Sequence, residues 1–384
     1  METLRKWVNQ LFPPVTPIPA AVYHYQSTDS SGRPFRLHLR VEADGSGILI
    51  VNASTVLHLN QTAAELAYHW VHNDPEDTVT TQLSQRYRTT RQQVLTDYHD
   101  FKDRVQTLIE SPDLDPVSFL DFARQDPYTE QFSAPLRLDC ALTYKLPQEG
   151  EQIAPVERVK RELSTEEWKS ILKKAWDAGI PHVVFTGGEP TLRPDLVDLV
   201  QFAEQQGQVS GLLTSGHRLT DPRYLHELLY SGLDHILLVL DPDSEEAWEA
   251  LRDTLAEDIF VCVHLTVTSD DTGRYTDVLT RLAEMGAPAV SLSAINPVLK
   301  DTLETVRAAA AQKGLSRVWD LPVPYAARHP VAVELAASGQ APQGAGRAWL
   351  YVEPDGDVLP AQGVNHVLGN LLNEPWEKIW AAVD

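Results

Sequence analysis

The sequence predicts an α/β protein: a partial (β/α)6 TIM-like barrel, preceded by a winged-helix-like α+β domain and followed by a small C-terminal extension. Three observations carry this. Apolar strands alternate with amphipathic helices six times between residues 134 and 320, which demands a parallel sheet with crossover helices. The series runs without a reversal signal, which suits a partial barrel better than an open sheet. Before it, alternating strand material precedes three short helices; after it, the pattern stops and a hairpin and one short helix follow.

Taken in order, residues 1–20 form an N-terminal segment closed by Pro13, Pro14, Pro17 and Pro19, which cannot continue a helix. Residues 21–111 make the winged-helix-like domain. Within it Phe35–Val41 alternates strictly, with Phe35, Leu37, Leu39 and Val41 on one face and Arg36, His38 and Arg40 on the other. Gly47 to Leu59 is β-branched strand material after an Asp44-Gly45 turn. Asn60 or Thr62, Asp77 or Thr78, and Thr89 or Thr90 are candidate caps for three helices ending near His72, Tyr87 and Ile109. Residues 112–133, punctuated by Pro112, Pro116 and Pro127, read as a linker with a short helix around Ser118 to Arg124.

The barrel, residues 134–320, places strands at Leu136–Leu142, His182–Thr186, Val209–Thr214, His235–Leu240, Phe260–Thr268 and Ala289–Ile295. Helices fall near 164–178, 194–206, 222–231, 244–256, 274–285 and 299–313. The extension, 321–384, carries a hairpin around Pro354-Asp355-Gly356 and a last helix from Pro375 with Trp376, Ile379 and Trp380 on one face.

A formal charge of -22 excludes a phosphate-backbone footprint, so no nucleic-acid partner is expected. No apolar run reaches the roughly 20 residues that span a bilayer. The start of the chain has no signal-peptide pattern, so a cytoplasmic location without membrane association is expected. The chain has two cysteines, Cys140 and Cys262, each inside a strand and far from the other in sequence. They build neither a disulfide framework nor a three-cysteine cluster site. His69 and His72, one helical turn apart, have no third ligand nearby and read as packing or surface groups.

In parallel β/α folds ligands bind beyond the carboxyl ends of the strands. Those ends carry Thr143 and Tyr144, then Gly187-Gly188-Glu189-Pro190, Thr214-Ser215-Gly216, Asp241, Thr268 and Asn296, a polar ring above apolar strands. Adjacent glycines let backbone approach a ligand, and Glu189 can accept from an ammonium or hydroxyl. The same residues also suit a purely structural turn.

The run Val184-Phe185-Thr186-Gly187-Gly188-Glu189-Pro190-Thr191-Leu192-Arg193-Pro194-Asp195-Leu196 resembles the second-strand motif of the peptide-modifying branch of radical S-adenosylmethionine enzymes. Leu213-Thr214-Ser215-Gly216 is similar to that family's third-strand turn, and Gly232-Leu233-Asp234-His235 through Asp241 to its fourth strand. The resemblance implies that Gly187, Gly188 and Glu189 surround the methionyl amino group of S-adenosylmethionine, with Ser215 and Asp241 on its ribose or carboxylate. It also implies three cysteines after the first strand. Their positions here are Leu146, Gly150 and Ile153, and none of the three offers a side-chain lone pair to iron. No iron–sulfur cluster is expected, therefore, and S-adenosylmethionine binding without its iron anchor is expected to be weak.

The flanks resemble family companions. Tyr351 to Pro360 and Leu368-Gly369-Asn370-Leu371 are similar to the SPASM-type auxiliary-cluster extension, with Ala361 where a cysteine belongs. Leu57 to Leu66 resembles the precursor-peptide recognition domain of pyrroloquinoline-quinone biosynthesis, which takes a leader peptide as an added strand. On that resemblance Arg36, His38 and Arg40 form a peptide-binding face for an acidic leader; the alternative is a charged edge that resists aggregation. The resemblance as a whole implies a cluster-less protein that binds a ribosomal precursor peptide or pairs with an active homologue. The alternatives are an enzyme using S-adenosylmethionine for polar chemistry and a structural or regulatory subunit.

Overall fold

The computed structural model describes residues 18–52, 55–111, 132–147, 159–317 and 344–383. Most of the N-terminal segment and of the linker, the positions Gly150 and Ile153, and the first part of the extension lie outside the described residues. The chain divides into two units, Met1–Ser133 and Ala134–Asp384. No described helix is long and apolar enough to cross a membrane.

The first unit opens with strands β1 (Ala21–Thr28), β2 (Pro34–Val41), β3 (Gly47–Val51) and β4 (Thr55–Leu59), antiparallel and in that spatial order. Helices α1 (Gln61–Val71), α2 (Glu76–Tyr87) and α3 (Arg91–Glu110) follow. Asn60 and Thr90 cap α1 and α3, accepting from the amides of Ala63 and Gln93, so one expected residue at each of those two starts is the cap. Strand alternation sends Phe35, Leu37, Leu39 and Val41 into a core with Trp70, Leu83, Tyr98 and Phe101.

The other face of β2 corrects an expectation. Strand β1 was not anticipated: it follows the prolines and alternates Tyr23 and Tyr25 with His24 and Gln26 rather than aliphatics. Its pairing makes β2 an inner strand, so Arg36, His38 and Arg40 are not on an edge. His38 and Arg40 are buried, at 3% and 2% exposure. The His38 ring meets its cross-strand partner His24 at 3.0 Å between Nδ1 atoms, while Arg40 pairs with Glu42 and lies over the Phe132 ring. Burial and the neighbouring charges hold His38 well below its usual range, so it is neutral. Among the described strands, β1 and β4 are the outer ones of this sheet.

The second unit is the expected βα series. Strands β5 (Arg137–Thr143), β6 (His182–Gly187), β7 (Val209–Thr214), β8 (His235–Val239), β9 (Phe260–Val267) and β10 (Ala289–Ala294) are parallel neighbours in sequence order. Between and after them run α4 (Thr165–Asp177), α5 (Leu196–Gln206), α6 (Pro222–Tyr230), α7 (Glu245–Leu255), α8 (Thr272–Glu284) and α9 (Lys300–Gln312). A short β11 (Ser316–Arg317) pairs beyond β10. At the other edge β12 (Trp349–Val352) runs parallel to β5 and is followed by antiparallel β13 (Asp357–Leu359) and β14 (Gly369–Asn370). The described strands form an open row rather than a closed ring, as a partial barrel requires. Helix α10 (Trp376–Trp380) ends the described chain, with Trp376 and Ile379 buried.

Period-two alternation divides the barrel strands into two faces. Val183, Phe185, Leu212, Ile236, Leu238, Val261 and Val263 pack with the helices, including the buried Trp168 and Trp248. Val184, Leu213, Leu237, Cys262 and Ala289 form a separate inner layer. Trp168, Ile171, Leu172 and Ala175 are the buried stripe of α4. That helix begins with a capping box in which Ser164 and Glu167 satisfy each other's backbone amides. Ser164→Ala is expected to lower the stability of the protein by about 1 kcal/mol in urea unfolding, with unchanged helical circular dichroism at zero denaturant; an unchanged midpoint counts against the cap.

Candidate functional site

The carboxyl ends of β5 and β6 are joined by backbone contacts that only glycine allows. Gly187 has φ +126, and a Cβ there would meet the Thr143 carbonyl oxygen at 2.1 Å. A Cβ on Gly188 would meet the Lys145 carbonyl oxygen at 2.3 Å. The amides of Gly188 and Glu189 donate to those same two carbonyls, at 2.7 and 2.8 Å. The glycines expected to admit a ligand thus admit the chain's own backbone, and they set where the segment after β5 leaves the barrel.

Glu189 is fully buried, at 0% exposure. Its Oε1 accepts from the Thr191 amide (3.0 Å), the Thr191 hydroxyl (2.6 Å) and the Thr214 hydroxyl (2.7 Å). Its Oε2 accepts from the Ser215 amide (2.8 Å) and hydroxyl (2.6 Å). Two carboxylate oxygens present about four lone-pair sites, and five donors already converge on them. The structure therefore brings Glu189 and Ser215 together, but spends them on each other. Asp241, by contrast, is exposed at the end of β8, where Oδ1 accepts from the Asp243 amide.

A second polar group lies beside Thr143, built by residues that the sequence reading did not single out. Glu162 accepts from the Thr143 hydroxyl at 2.5 Å and pairs with Lys145 at 3.4 Å. The Arg193 guanidinium donates to the Leu142 and Leu163 carbonyls and chelates Asp195. The only sequence signal for it was the Arg193-Pro194-Asp195 end of the second-strand motif. These contacts join the residues before and after the segment that follows β5.

At the base of that segment stands Leu146, the first of the three expected cysteine positions. It packs, partly buried, with Ala141, Tyr144, Tyr351, Leu359 and Val159. Tyr144 donates to Glu353 at 2.8 Å, tying β5 to the C-terminal hairpin. The two thiols of the protein stand elsewhere. Cys140 is buried between β5 and the helices, whereas Cys262 is in the inner layer. Burial raises both, Cys262 to about 12 and Cys140 further, so neither is a thiolate at neutral pH. A four-iron cluster needs thiolates converging on one point. Leu146 in an apolar cluster and two buried thiols on opposite faces of the sheet do not fit one.

The extension likewise offers no sulfur: Ala361 is fully buried. The one group with metal-ligand geometry among the described residues is Glu353, Asp355 and Asp357, whose oxygens lie within 4.8 Å of one another. Burial and the neighbouring Asp357 and Glu353 charges push Asp355 up to about 6. Of the remaining histidines, buried His69 bonds Asp74, and exposed His72 bonds the Tyr68 carbonyl.

Comparison with known proteins agrees with this architecture. The family model described as the Radical SAM superfamily matches residues 140–312. The chain is 33% identical over 268 residues to a PqqA peptide cyclase of Streptomyces rochei, covering 59% of this chain and 70% of that protein. A PqqA peptide cyclase of Gluconobacter oxydans is 29% identical over 261 residues, with the same coverage. Among solved structures, Streptococcus suis SuiB bound to its precursor peptide SuiA superposes with a TM-score of 0.58 at 15% identity, covering 94% of this chain and 88% of SuiB. That likeness is one of fold.

The Glu189 lock has a measurable consequence. Glu189→Gln replaces one accepting oxygen by an amino group facing hydroxyl and amide donors. It is expected to cost about 2 kcal/mol of unfolding free energy, the scale of hydrogen bonds to a buried charged group. An unaltered urea midpoint contradicts the lock.

Proposed function

This chain belongs to the radical SAM superfamily, and from that membership we propose a non-catalytic role, in which it binds a precursor peptide itself or presents it to an active relative. The observation that carries the reading is the side chain at position 146: a leucine in an apolar cluster stands where the family's resemblance calls for the first iron ligand. Hydrocarbon donates nothing to iron, and positions 150 and 153 carry glycine and isoleucine. Without a cluster there is no electron for the sulfonium of S-adenosylmethionine, so no radical step is assigned to this chain.

A peptide partner is supported by the relatives, which are named for action on the PqqA peptide, and by SuiB, whose structure contains a precursor peptide. In the first unit the paired order leaves β1 and β4 as the outer ones among the described strands. An extended peptide joins such an edge through main-chain hydrogen bonds. Recognition is then carried by backbone and by pockets along the edge rather than by Arg36, His38 and Arg40, of which the last two are buried.

A second reading keeps the barrel an enzyme that holds S-adenosylmethionine for polar chemistry. It draws on Asp241 and Ser215, both exposed at strand ends. It is the weaker reading because Glu189, the expected partner of the methionyl ammonium, has no lone pair left to give. Calorimetric titration separates the two. A synthetic PqqA-type peptide is expected to give saturable heat, and S-adenosylmethionine none at millimolar concentration. Absence of heat with the peptide sinks the peptide role, and saturable heat with S-adenosylmethionine moves the assignment to the second reading.

A further inference from the structure

The inner face of β9 and β10 carries a group of polar side chains that no contact described above uses. His264 stands between two serines, with Nδ1 3.0 Å from the Ser291 hydroxyl and Nε2 3.0 Å from the Ser293 hydroxyl. His264 and Ser291 are fully buried, and Ser293 is 8% exposed. His264 follows the inward-facing Cys262 by two residues and pairs in register with Val239 and Ser291. Ser293 pairs with Thr266, one step closer to the carboxyl ends of the strands. Below lies the apolar layer of Val184, Leu213, Leu237, Cys262 and Ala289. Above, Val239 and Thr266 are partly exposed. The group therefore forms a polar wall between that apolar layer and the partly exposed residues nearer the strand ends.

Hydrogen-bond arithmetic shows what this wall has to spare. A neutral imidazole has one donor and one acceptor, and the two serines take both. One serine must donate to the ring while the other receives from it. If Ser293 receives, its own proton remains to be given; if Ser293 donates, its lone pairs remain. Either tautomer of His264 leaves the partly accessible Ser293 hydroxyl with hydrogen-bonding capacity to spare. Burial holds His264 down to about 3, so the ring stays neutral and supplies no countercharge to an anion. The nearest inward neighbours, Thr266 and Val239, supply none to a cation.

We propose that this wall is a binding site for an uncharged amide group of a peptide, contacted by Ser293 and oriented through His264 and Ser291. An amide carries both an N–H and a C=O, so it complements whichever state of Ser293 the His264 tautomer leaves. The inference deepens the peptide role and rests on it for the source of the amide.

The test uses the full chain with its histidines labelled with nitrogen-15. Nitrogen shifts of the His264 ring report the tautomer balance; its resonances are identified by their loss in His264→Gln or, should that variant not fold, by their displacement in Ser293→Ala. Acetamide is titrated as the probe, with acetate and methylammonium as ionic controls. Acetamide is expected to shift the His264 resonances saturably, at least fivefold less in Ser293→Ala, and the ions are expected to leave them in place. A non-saturable or absent response to acetamide, an equal response in Ser293→Ala, or an equal response to the ions overturns the site. Because the probe needs no precursor peptide, failure here leaves the calorimetric result on the peptide untouched, and the reverse also holds.

Discussion

Backbone approach at Gly187 and Gly188 constrains everything at the mouth of this barrel. The amides after β6 reach the carbonyls of Thr143 and Lys145, and no side chain fits between them. That contact fixes the start of the segment after β5. Thr143 and Lys145 then meet Glu162 on its return, and Leu146 meets Val159. On the other side, the residue after the glycines turns its carboxylate toward β7 and is saturated by Thr191, Thr214 and Ser215. Among the described residues the mouth is thus held by hydrogen bonds and an apolar cluster.

The legible part of this fold was the part with strong periodicity. Six apolar strands with helices between them specify a parallel row, and the strands observed match it within a residue or two at most ends. Caps at Asn60 and Thr90 were readable because their oxygen chemistry is local. Strand β1 was not, since tyrosines alternating with His24 and Gln26 after a proline-rich stretch give little apolar contrast. That single omission reversed the reading of Arg36, His38 and Arg40, because whether a strand is an edge depends on its neighbour and not on its own residues.

The site was legible in its members and not in their bonding. Glu189 and Ser215 were identified, but sequence spacing does not say that three hydroxyls and two backbone amides would use up the carboxylate. Glu162 and Arg193 act across gaps of tens of residues, which no local pattern encodes. His264, Ser291 and Ser293 did leave a signal, as polar residues at every second position of otherwise apolar strands. Such alternation marks an inner wall with its own chemistry, distinct from the helix-facing side.

Iron is held by electron-pair donors, and the position after β5 that would supply the first is filled by packed hydrocarbon. The measurement closest to that claim is iron and acid-labile sulfide content of the purified full chain after anaerobic reconstitution. The account predicts neither above background and no absorbance near the visible band of a four-iron cluster. A stoichiometric cluster that survives desalting would contradict it.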